Sequence, residues 1–294
     1  MQNYCLSFKN VSKRFAEKFA LKGVTLDLFS GEIVGLIGPN GAGKTTLIKL
    51  IVGLLNPTGG AISIFSKARD QLTPTDWSKI GYVSDEPNLY DFMTVEKIIN
   101  FNSAFFPQWN SEKCSELKMR FLLPHNESIK NLSRGMKTQL ALILALCQEP
   151  QLLILDEPFN GLDPLRRIEF LNIILEEFTS SENRTVLISS HYLEELERIC
   201  DRVAFLQEGE LKRVVKMEQL RVEEKTIRVV FQKQPPQLLL SMQGIKEIKK
   251  EGQSGYLITV DNNFNEIYEA CNAFPHYVLE IYHRKIEDMF HDYS

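Results

Sequence analysis

Hydrophobic and polar positions change their period several times along the chain, and each change predicts a different element. Alternating positions and short apolar runs at 6–15, 23–38 and 59–67 are typical of strands. The first 83 residues are therefore predicted to form strands with turns around a glycine-rich loop, which a helix follows. That helix is predicted for "KTTLIKLIVGLL" (44–55), whose spacing places on one side Leu47, Leu50, Ile51 and Leu54.

A helical period replaces the strand pattern from about residue 88 to residue 130. The segments 94–106 and 110–123 are amphipathic, and each ends at or near a proline, which disfavours continuation of a helix. Thr94 has the hydroxyl expected of a helix N-cap, and Glu96 lies in the first turn, where a negative charge is favourable. The sequence predicts a helical insertion here.

Helices and apolar strands alternate from Leu132 to about residue 209. The helix predicted at 136–148 leads into the strand "LLILD", and two further helix–strand pairs end in "RTVLIS" and "RVAFLQEG". This αβαβαβ order predicts a parallel sheet whose strands are buried on both faces.

The last 70 residues follow a different order. Strands at 225–233 and 277–283 enclose a short helix, a hairpin and a second helix, and a final helix is predicted at 285–293. The order β-α-β-β-α-β is typical of a small α+β module of the ferredoxin-like type. Two domains are therefore predicted, at 1–224 and 225–294.

Composition and charge exclude several classes of function. The chain has 294 residues and a net charge of −4, so no basic face for nucleic acid is expected. The N-terminal segment has no apolar core of a signal peptide, and the longest apolar run, "LALILALC", is far shorter than the about 18 residues of a membrane span. Five scattered cysteines fit reduced core thiols better than disulfides or a metal site.

The loop between the first apolar strand and the first helix has the spacing G-x-x-x-x-G-K-[ST], which is that of a phosphate-binding loop. Glycines let backbone N–H groups turn toward phosphate oxygens, and the helix N-terminus adds free donors. Lys44 is expected to reach the β- and γ-phosphates, and Thr45 to ligate Mg²⁺. The alternative is a surface turn with an exposed lysine. The predicted nucleotide ligands here are Gly38, Pro39, Asn40, Gly41, Ala42, Gly43, Lys44, Thr45 and Thr46.

Two acids end the apolar strand of "LLILDEP" (152–158). A strand buried on both faces can carry a carboxylate only at its tip, where Asp156 is expected to hold Mg²⁺ through water. Glu157 is expected to polarise the attacking water as general base. The alternative is an ordinary acidic transition from strand to loop.

The segment "NLSRGMKTQ" (131–139) resembles the signature loop of the ATP-binding cassette (ABC) family, usually Leu-Ser-Gly-Gly-Gln. By itself it could be a helix cap, since serine at this position caps helices well. The resemblance implies that it binds ATP held by a second chain, so that two copies enclose two nucleotides head to tail. The residues concerned are Leu132, Ser133, Arg134, Gly135 and Met136.

Three further positions take roles that only the resemblance implies. Asp163 in "FNGLDP" matches the aspartate of the family's D-loop, which lines the dimer seam. His191 in "LISSH" matches the switch histidine, which contacts the γ-phosphate; alternatively it caps the following helix. Phe15 matches the aromatic residue that stacks on adenine; alternatively it is a core or surface phenylalanine.

One position departs from the family pattern. Asp85 in "IGYVSDEPNLYDF" occupies the place of the Q-loop glutamine, which in the family touches Mg²⁺ and responds to the membrane subunit. A carboxylate can still ligate Mg²⁺, and Glu86 could substitute for it. Asp85 is therefore a candidate metal ligand.

The resemblance covers residues 1 to about 225, and the single cassette with its C-terminal extension is similar to ATPase subunits of bacterial ABC-2-type exporters. It implies a P-loop α/β fold with an antiparallel β subdomain and a helical subdomain. It also implies ATP and Mg²⁺ as cofactors and an integral-membrane permease as partner. The implied assembly is a homodimer, or a pair with another cassette, at the cytoplasmic face of the membrane. The alternatives are a soluble ABC-type ATPase acting on ribosomes or nucleic acid, and a small-molecule kinase.

Aromatic residues in the helical insertion exceed what so small a lobe needs for its own packing. We expect some of them to form a groove for a short helix of the membrane subunit; the alternative for each is the internal core. They are Phe92, Phe101, Phe105, Phe106 and Trp109.

Overall fold

The structure is a computed structural model that describes residues 4–179, 183–218, 225–260 and 263–283. The chain divides into two compact units, Met1–Val214 and Val215–Ser294. The boundary expected at 224/225 stays a prediction, and the final helix expected at 285–293 lies outside the described residues.

An antiparallel sheet begins the first unit. Its strands lie in the order β2-β1-β4-β5, and β1 pairs with both β2 and β4. Apolar residues on one face of β1 and β2, such as Leu6, Phe8 and Leu26, are buried against the rest of the unit. The strands are β1 (Tyr4–Phe15), β2 (Lys18–Phe29), β4 (Gly59–Ile64) and β5 (Lys67–Ala68).

A six-stranded sheet in the order β10-β9-β3-β8-β7-β6 forms the centre of the first unit. The registers of β6 with β7, β7 with β8, and β3 with β8 and β9 are all parallel, which confirms the predicted parallel sheet. The strands are β3 (Ile33–Ile37), β6 (Ile80–Val83), β7 (Leu152–Asp156), β8 (Thr185–Ser189), β9 (Arg202–Gln207) and β10 (Glu210–Lys216).

Helices connect these strands, and α1 contacts strands of both sheets, β2 and β7. Helix α1 ends at Ile51, earlier than predicted, because Gly53 takes a left-handed φ of 80°. Leu54 therefore lies beyond the helix and is 63% exposed, so the prediction that it shares one side of the helix with Leu47, Leu50 and Ile51 is wrong. The helices are α1 (Lys44–Ile51), α2 (Pro74–Trp77), α5 (Arg134–Cys147), α6 (Pro164–Thr179) and α7 (Leu193–Ile199).

The helical insertion contains α3 (Val95–Ser103) and α4 (Ser111–Arg120), which pack on α5. The Thr94 hydroxyl accepts a hydrogen bond from the Lys97 amide, as expected of an N-cap. Arg120 of α4 pairs with Glu169 and Glu176 of α6, which ties the insertion to the central sheet's layer of helices.

The second unit is a four-stranded antiparallel sheet in the order β12-β13-β11-β14, covered on one face by two helices. The chain order β-α-β-β-α-β and this strand order are those of a ferredoxin-like module, as predicted. Its core includes Ile227, Ile258 and Ile267. The elements are β11 (Lys225–Phe231), α8 (Gln237–Leu240), β12 (Ile245–Glu251), β13 (Gly255–Val260), α9 (Phe264–Asn272) and β14 (His276–His283).

All five cysteines are buried and none is in a disulfide. In the part of the chain that the structure describes, no helix has the length and apolar character needed to cross a membrane.

Candidate functional site

The loops that follow β3, β6, β7 and β8 meet at one edge of the parallel sheet. Leu36 of β3 and Asp156 of β7 both lie in register with Ser189 of β8. Because parallel strands end at the same edge, the residues that follow each strand converge there. This edge is where open α/β sheets bind ligands.

The loop after β3 is shaped by glycines that no other residue could replace. A Cβ atom on Gly38 would lie 2.1 Å from the carbonyl oxygen of Leu206. Gly43 has a φ of 110°, and its Cβ would lie 2.7 Å from the oxygen of Ala20. The loop can therefore hold its backbone against β2 and β9 and turn directly into α1, whose first amides have no partner within the helix. Such amides are suited to phosphate oxygens.

Lys44 begins α1, and its side chain is only 7% exposed. Its Nζ donates to the carbonyl oxygen of Gly38 at 2.7 Å and lies 3.2 Å from Oε1 of Glu157. The ammonium is thus fixed at the floor of the loop, which rules out a surface turn with an exposed lysine.

Glu157 follows β7 in a left-handed conformation, with a φ of 46°. A non-glycine residue in this region costs about 1–3 kcal/mol and persists only where its surroundings hold it. Here the amide of Glu157 donates to the backbone oxygen and the Oγ of Ser189, both at 3.0 Å. Its Oε2 lies 2.7 Å from Nδ1 of His191 and accepts the His191 amide at 3.2 Å. The carboxylate is therefore fixed by contacts on both oxygens.

Asp156 is buried beside Glu157. Burial raises the pKa of Asp156, and hydrogen bonds from Ser189 and Thr45 oppose that shift. The Ser189 bond measures 2.7 Å. A hydroxyl beside a buried carboxylate is a suitable ligand pair for Mg²⁺, which keeps waters and binds substrate phosphates as well. No group of three or more histidines, cysteines or acids that could hold a metal by themselves occurs among the described residues.

Phe15 is the last residue of β1, at the hairpin between β1 and β2, and it lines the same cavity as the loop after β3. Its side chain is 47% exposed, and Nζ of Lys13 lies 4.9 Å from its ring centroid. Phe19, on the neighbouring strand, is 45% exposed and lies 5.5 Å from the guanidinium of Arg14. Both rings face the same cavity. Phe15 is thus a surface aromatic at a position from which it can stack on a base.

These elements enclose a cavity of about 1180 Å³. The lining residues that the sequence predicted are Phe15, Pro39, Asn40, Gly41, Ala42, Gly43, Lys44, Thr45, Thr46, Asp85, Arg134, Glu157 and His191. Asp156 lines a neighbouring cavity of about 740 Å³, which shares Thr45 and Asp85 with the first. The predicted residues outside the lining of the larger cavity are Gly38, Leu132, Ser133, Gly135, Met136, Asp156 and Asp163.

The segment 132–136 begins helix α5. The Ser133 hydroxyl accepts a hydrogen bond from the Met136 amide at 3.2 Å and so caps the helix. Gly135 packs on the D-loop turn, where a Cβ would lie 2.6 Å from the oxygen of Gly161. Within one chain, only Arg134 of this segment reaches the cavity.

Asp163 stands at the start of α6. Its Oδ1 accepts the Arg166 amide at 3.0 Å, and Oδ2 lies 3.2 Å from Nε of Arg166. Its side chain is half exposed. It is therefore available to a second molecule but does not face the cavity of its own chain.

Asp85 lies in the loop after β6, between the two cavities. Its Oδ1 accepts hydrogen bonds from Arg134 Nη2 at 2.6 Å and from Asn160 Nδ2 at 2.8 Å. The candidate metal ligand therefore already has a cationic partner.

Several residues of the site were not predicted from the sequence. The Ser189 hydroxyl donates to Asp156 and accepts from the amide of Glu157, and its place in "LISSH" at the end of an apolar strand was the available clue. Asn160 in "FNGLDP" is a polar residue in a turn after the acidic strand. Phe19 could not be found in this way, because its place depends on the pairing of β2 with β1.

Comparison with known proteins places the chain in a family. The sequence profile of the ABC transporter family matches residues 21–160, and a profile described as an AAA domain matches residues 124–197. The chain is 31% identical over 291 residues to the ABC transporter ATP-binding protein YdbJ of Bacillus subtilis (strain 168). The matched residues make up 97% of this chain and 94% of that protein. It is 35% identical over 211 residues to the Nod factor export ATP-binding protein I of Burkholderia lata, and the match covers 69% of this chain and 68% of that protein.

Among solved structures, the fold is similar to a dimeric post-hydrolysis state of an ATP-binding cassette bound to ADP and Pi. The TM-score is 0.64 at 25% identity, and 72% of this chain and 98% of that chain are covered. The chain belongs to the ATP-binding proteins of ABC transporters and is an ATPase of that family. The predicted ABC ATPase fold is confirmed.

Proposed function

We propose that this chain is the ATPase subunit of a bacterial exporter, which closes head to tail around two ATP molecules and drives a separate membrane permease. The observation that carries the proposal is the carboxylate of Glu157, fixed by Lys44 and His191 at the floor of the cavity. Export as the direction is supported by relatives whose names state it, such as the Nod factor export protein.

The residues of the cavity have separate roles in phosphoryl transfer. The amides of the loop and Lys44 bind the phosphates, while Thr45 and Asp156 would hold Mg²⁺, with Asp85 within reach of the same end. Bound Mg²⁺ would neutralise charge that develops on the phosphate oxygens. Glu157 accepts the proton of the attacking water, and His191, hydrogen-bonded to that carboxylate, orients it.

Dimerisation is supported by residues that do not line the cavity of their own chain. Ser133, Gly135 and Asp163 do not line the cavity, although family resemblance gives each a role around ATP. A second copy, turned head to tail, would bring its own α5 N-terminus to the open side of the cavity. The similar cassette of known structure is a dimer.

A docking surface for the permease is proposed on the helical insertion. Four exposed rings form an aromatic patch: Tyr90, Phe92, Phe101 and Phe105, with 51%, 79%, 41% and 63% of their surfaces exposed. The centroids of Phe101 and Phe105 lie 4.9 Å apart, and Tyr90 contacts both Phe92 and Phe101. Exposed apolar patches of this kind mark interaction sites.

The remaining two predicted aromatics behave differently. Phe106 is half-buried, its ring centroid lies 6.4 Å from that of Trp109, and it lines the smaller cavity. Because that cavity also contains Asp85 and Asp156, a helix of the permease seated there would touch the metal end of the ATP site. We propose such a helix as the occupant, which would place the chain at the cytoplasmic face of the membrane.

The proposal is tested by size-exclusion chromatography of Glu157→Gln with saturating ATP and Mg²⁺. The variant should bind ATP, hydrolyse it very slowly and elute as a dimer. Lys44→Ala is the matched control, since it should remain a monomer because the phosphates lose their cation. A monomeric Glu157→Gln protein that has bound ATP would refute the head-to-tail dimer.

Purification from detergent-solubilised membranes tests the partner. Recovery of a multi-span membrane protein with the tagged chain supports the permease. Recovery of ribosomes or nucleic acid without a membrane protein would favour the soluble alternative.

A further inference from the structure

Asp85 and Arg134 both differ from the residues usual in the family at these places, glutamine and glycine, and they are bonded to each other. Arg134 Nη2 lies 2.6 Å from Oδ1 of Asp85 and 3.4 Å from its backbone oxygen. Asn160 donates to the same Oδ1 at 2.8 Å. This carboxylate joins the N-terminus of α5 to the loops that follow β6 and β7.

The packing of its stem directs the Arg134 side chain toward Asp85. It is the first residue of α5, directly after the Ser133 cap. Its stem lies along Gly161, where an added Cβ would meet Cγ and Cδ of Arg134 at 3.2 Å. The guanidinium is thereby directed into the cavity beside Asp85.

The charge of Asp85 reaches the end of the cavity where the metal is expected. Burial is the main cause of the raised pKa of Asp156, and the charges of Glu157 and Asp85 add to it. Burial and then the charges of Asp156 and Asp85 also raise the pKa of Tyr82 to about 12. A cation at Asp85 therefore relieves repulsion among these acids, whether that cation is a guanidinium or a metal.

We propose that Arg134 is a positioning residue that competes with Mg²⁺ for the carboxylate of Asp85, so that Mg·ATP binding releases the N-terminus of α5 from the loop after β6. This inference rests on the proposed ATP and Mg²⁺ site. The side chains of the pair are 46% and 41% exposed. Pairs this exposed change an equilibrium constant by no more than about fivefold, so the bound metal can displace the guanidinium.

The test is a Mg²⁺ titration of the binding of a fluorescent ATP analogue to full-length Glu157→Gln protein, which does not depend on activity. Arg134→Gln should lower the Mg²⁺ midpoint by about two- to fivefold, because the carboxylate loses its competing cation. Asp85→Asn should raise the midpoint, since the metal loses a charged ligand. Combined with Asp85→Asn, the Arg134 change should have no further effect on the midpoint, and Arg134→Lys should restore the parent value.

Lys137→Gln is the matched control. Lys137 lies one turn further along α5 and pairs with Asp91 at 3.0 Å, outside the lining of the larger cavity. Its replacement removes the same charge and should leave the midpoint unchanged. An equal shift from Lys137→Gln would mean that net charge alone is responsible, and the competition would be refuted.

The possible failures can be told apart. If Mg²⁺ does not strengthen nucleotide binding in the Glu157→Gln protein without further changes, the proposed metal site itself is wrong. If Mg²⁺ strengthens binding normally but Arg134→Gln leaves the midpoint unchanged, only the competition is wrong. Hydrogen exchange gives a second readout: in the absence of nucleotide, the amides of Met136 and Lys137 should exchange faster in Arg134→Gln than in the protein that retains Arg134.

Discussion

Lys44 and Glu157 form a nearly buried ion pair, with Nζ 3.2 Å from Oε1 and only 7% and 11% of the two side chains exposed. Lys44 is the residue expected to bind the β- and γ-phosphates, and Glu157 is the expected general base. ATP must therefore take the lysine away from the carboxylate before the site can function.

Replacing Glu157 by glutamine should tighten ATP binding. Without the carboxylate, the ammonium of Lys44 loses its charged partner and is free for the phosphates. A hydrogen bond to a charged group contributes about 1.5–3 kcal/mol, so we expect the Kd for ATP to fall by about ten- to a hundredfold. The measurement is a titration with a fluorescent ATP analogue in the absence of Mg²⁺.

Glu208→Gln is the control for this prediction. Glu208 lines the same cavity, so its replacement removes the same charge without removing the partner of Lys44. It should tighten binding much less than Glu157→Gln does. Equal gains from the two variants would mean that the pairing with Lys44 has no special part in ATP binding.

Asp156→Asn should stabilise the nucleotide-free protein at neutral pH while it abolishes Mg²⁺-dependent ATP binding. Burial raises the folded-state pKa of Asp156 above its unfolded value, so ionised Asp156 is a cost to folding at neutral pH. Below the unfolded pKa that cost is absent. The advantage of asparagine should therefore be largest at neutral pH and shrink as pH falls through the folded pKa.

Thermal unfolding between pH 4 and pH 8 checks this sign. A gain of about 1 kcal/mol would raise Tm by about 2–4 °C in a chain of this size. Asp70→Asn, at an exposed position, is the control and should have no such pH-dependent gain. A lower Tm for Asp156→Asn at pH 7 would contradict the account of burial.

The sequence predicted those parts of the site that depend on local order. Gly38 to Thr45 lie within one strand–loop–helix unit, and Asp156 and Glu157 directly end a buried strand, so their places follow from pattern alone. The contact of Asp85 with Arg134 joins residues 49 positions apart and depends on how two loops pack. The sequence predicts that α1 continues to residue 55, because its helical spacing extends past Gly53. The helix ends at Ile51, because Gly53 takes a left-handed conformation.

The division of the five predicted aromatics likewise could not be seen in the sequence. Phe105 and Phe106 are neighbours in the segment that follows α3, yet Phe105 is 63% exposed and Phe106 is half-buried. Hydrophobicity is the same for both residues. Only the packing of the insertion on α5 decides which of them remains at the surface.

Phe92→Ser combined with Phe105→Ser should prevent recovery of the permease while the ATPase subunit stays folded. Both rings belong to the aromatic patch and are largely exposed. Exposed substitutions usually change stability by less than about 0.5 kcal/mol, whereas loss of an aromatic anchor in an interface costs about 2 kcal/mol or more. Co-purification and thermal unfolding are measured on the same preparations.

Met119→Ser is the control for the aromatic patch, because Met119 is an exposed apolar residue of α4, 66% exposed, outside the patch. It should leave recovery of the permease unchanged. If the double variant co-purifies with the permease as well as the parent does, the aromatic patch is not the docking surface.

Phe15→Ala should weaken the binding of ATP without weakening the binding of inorganic triphosphate. The exposed ring of Phe15 lines the cavity, and stacking of a base on an aromatic side chain contributes about 1–3 kcal/mol. Phe15→Tyr keeps a ring and should bind ATP as the parent does. Calorimetry with the two ligands separates the base from the phosphates. Phe19→Ala is the matched comparison, since that ring faces the same cavity: if only Phe19→Ala weakens ATP binding, the base stacks on Phe19, and the role that family resemblance gives to Phe15 is wrong.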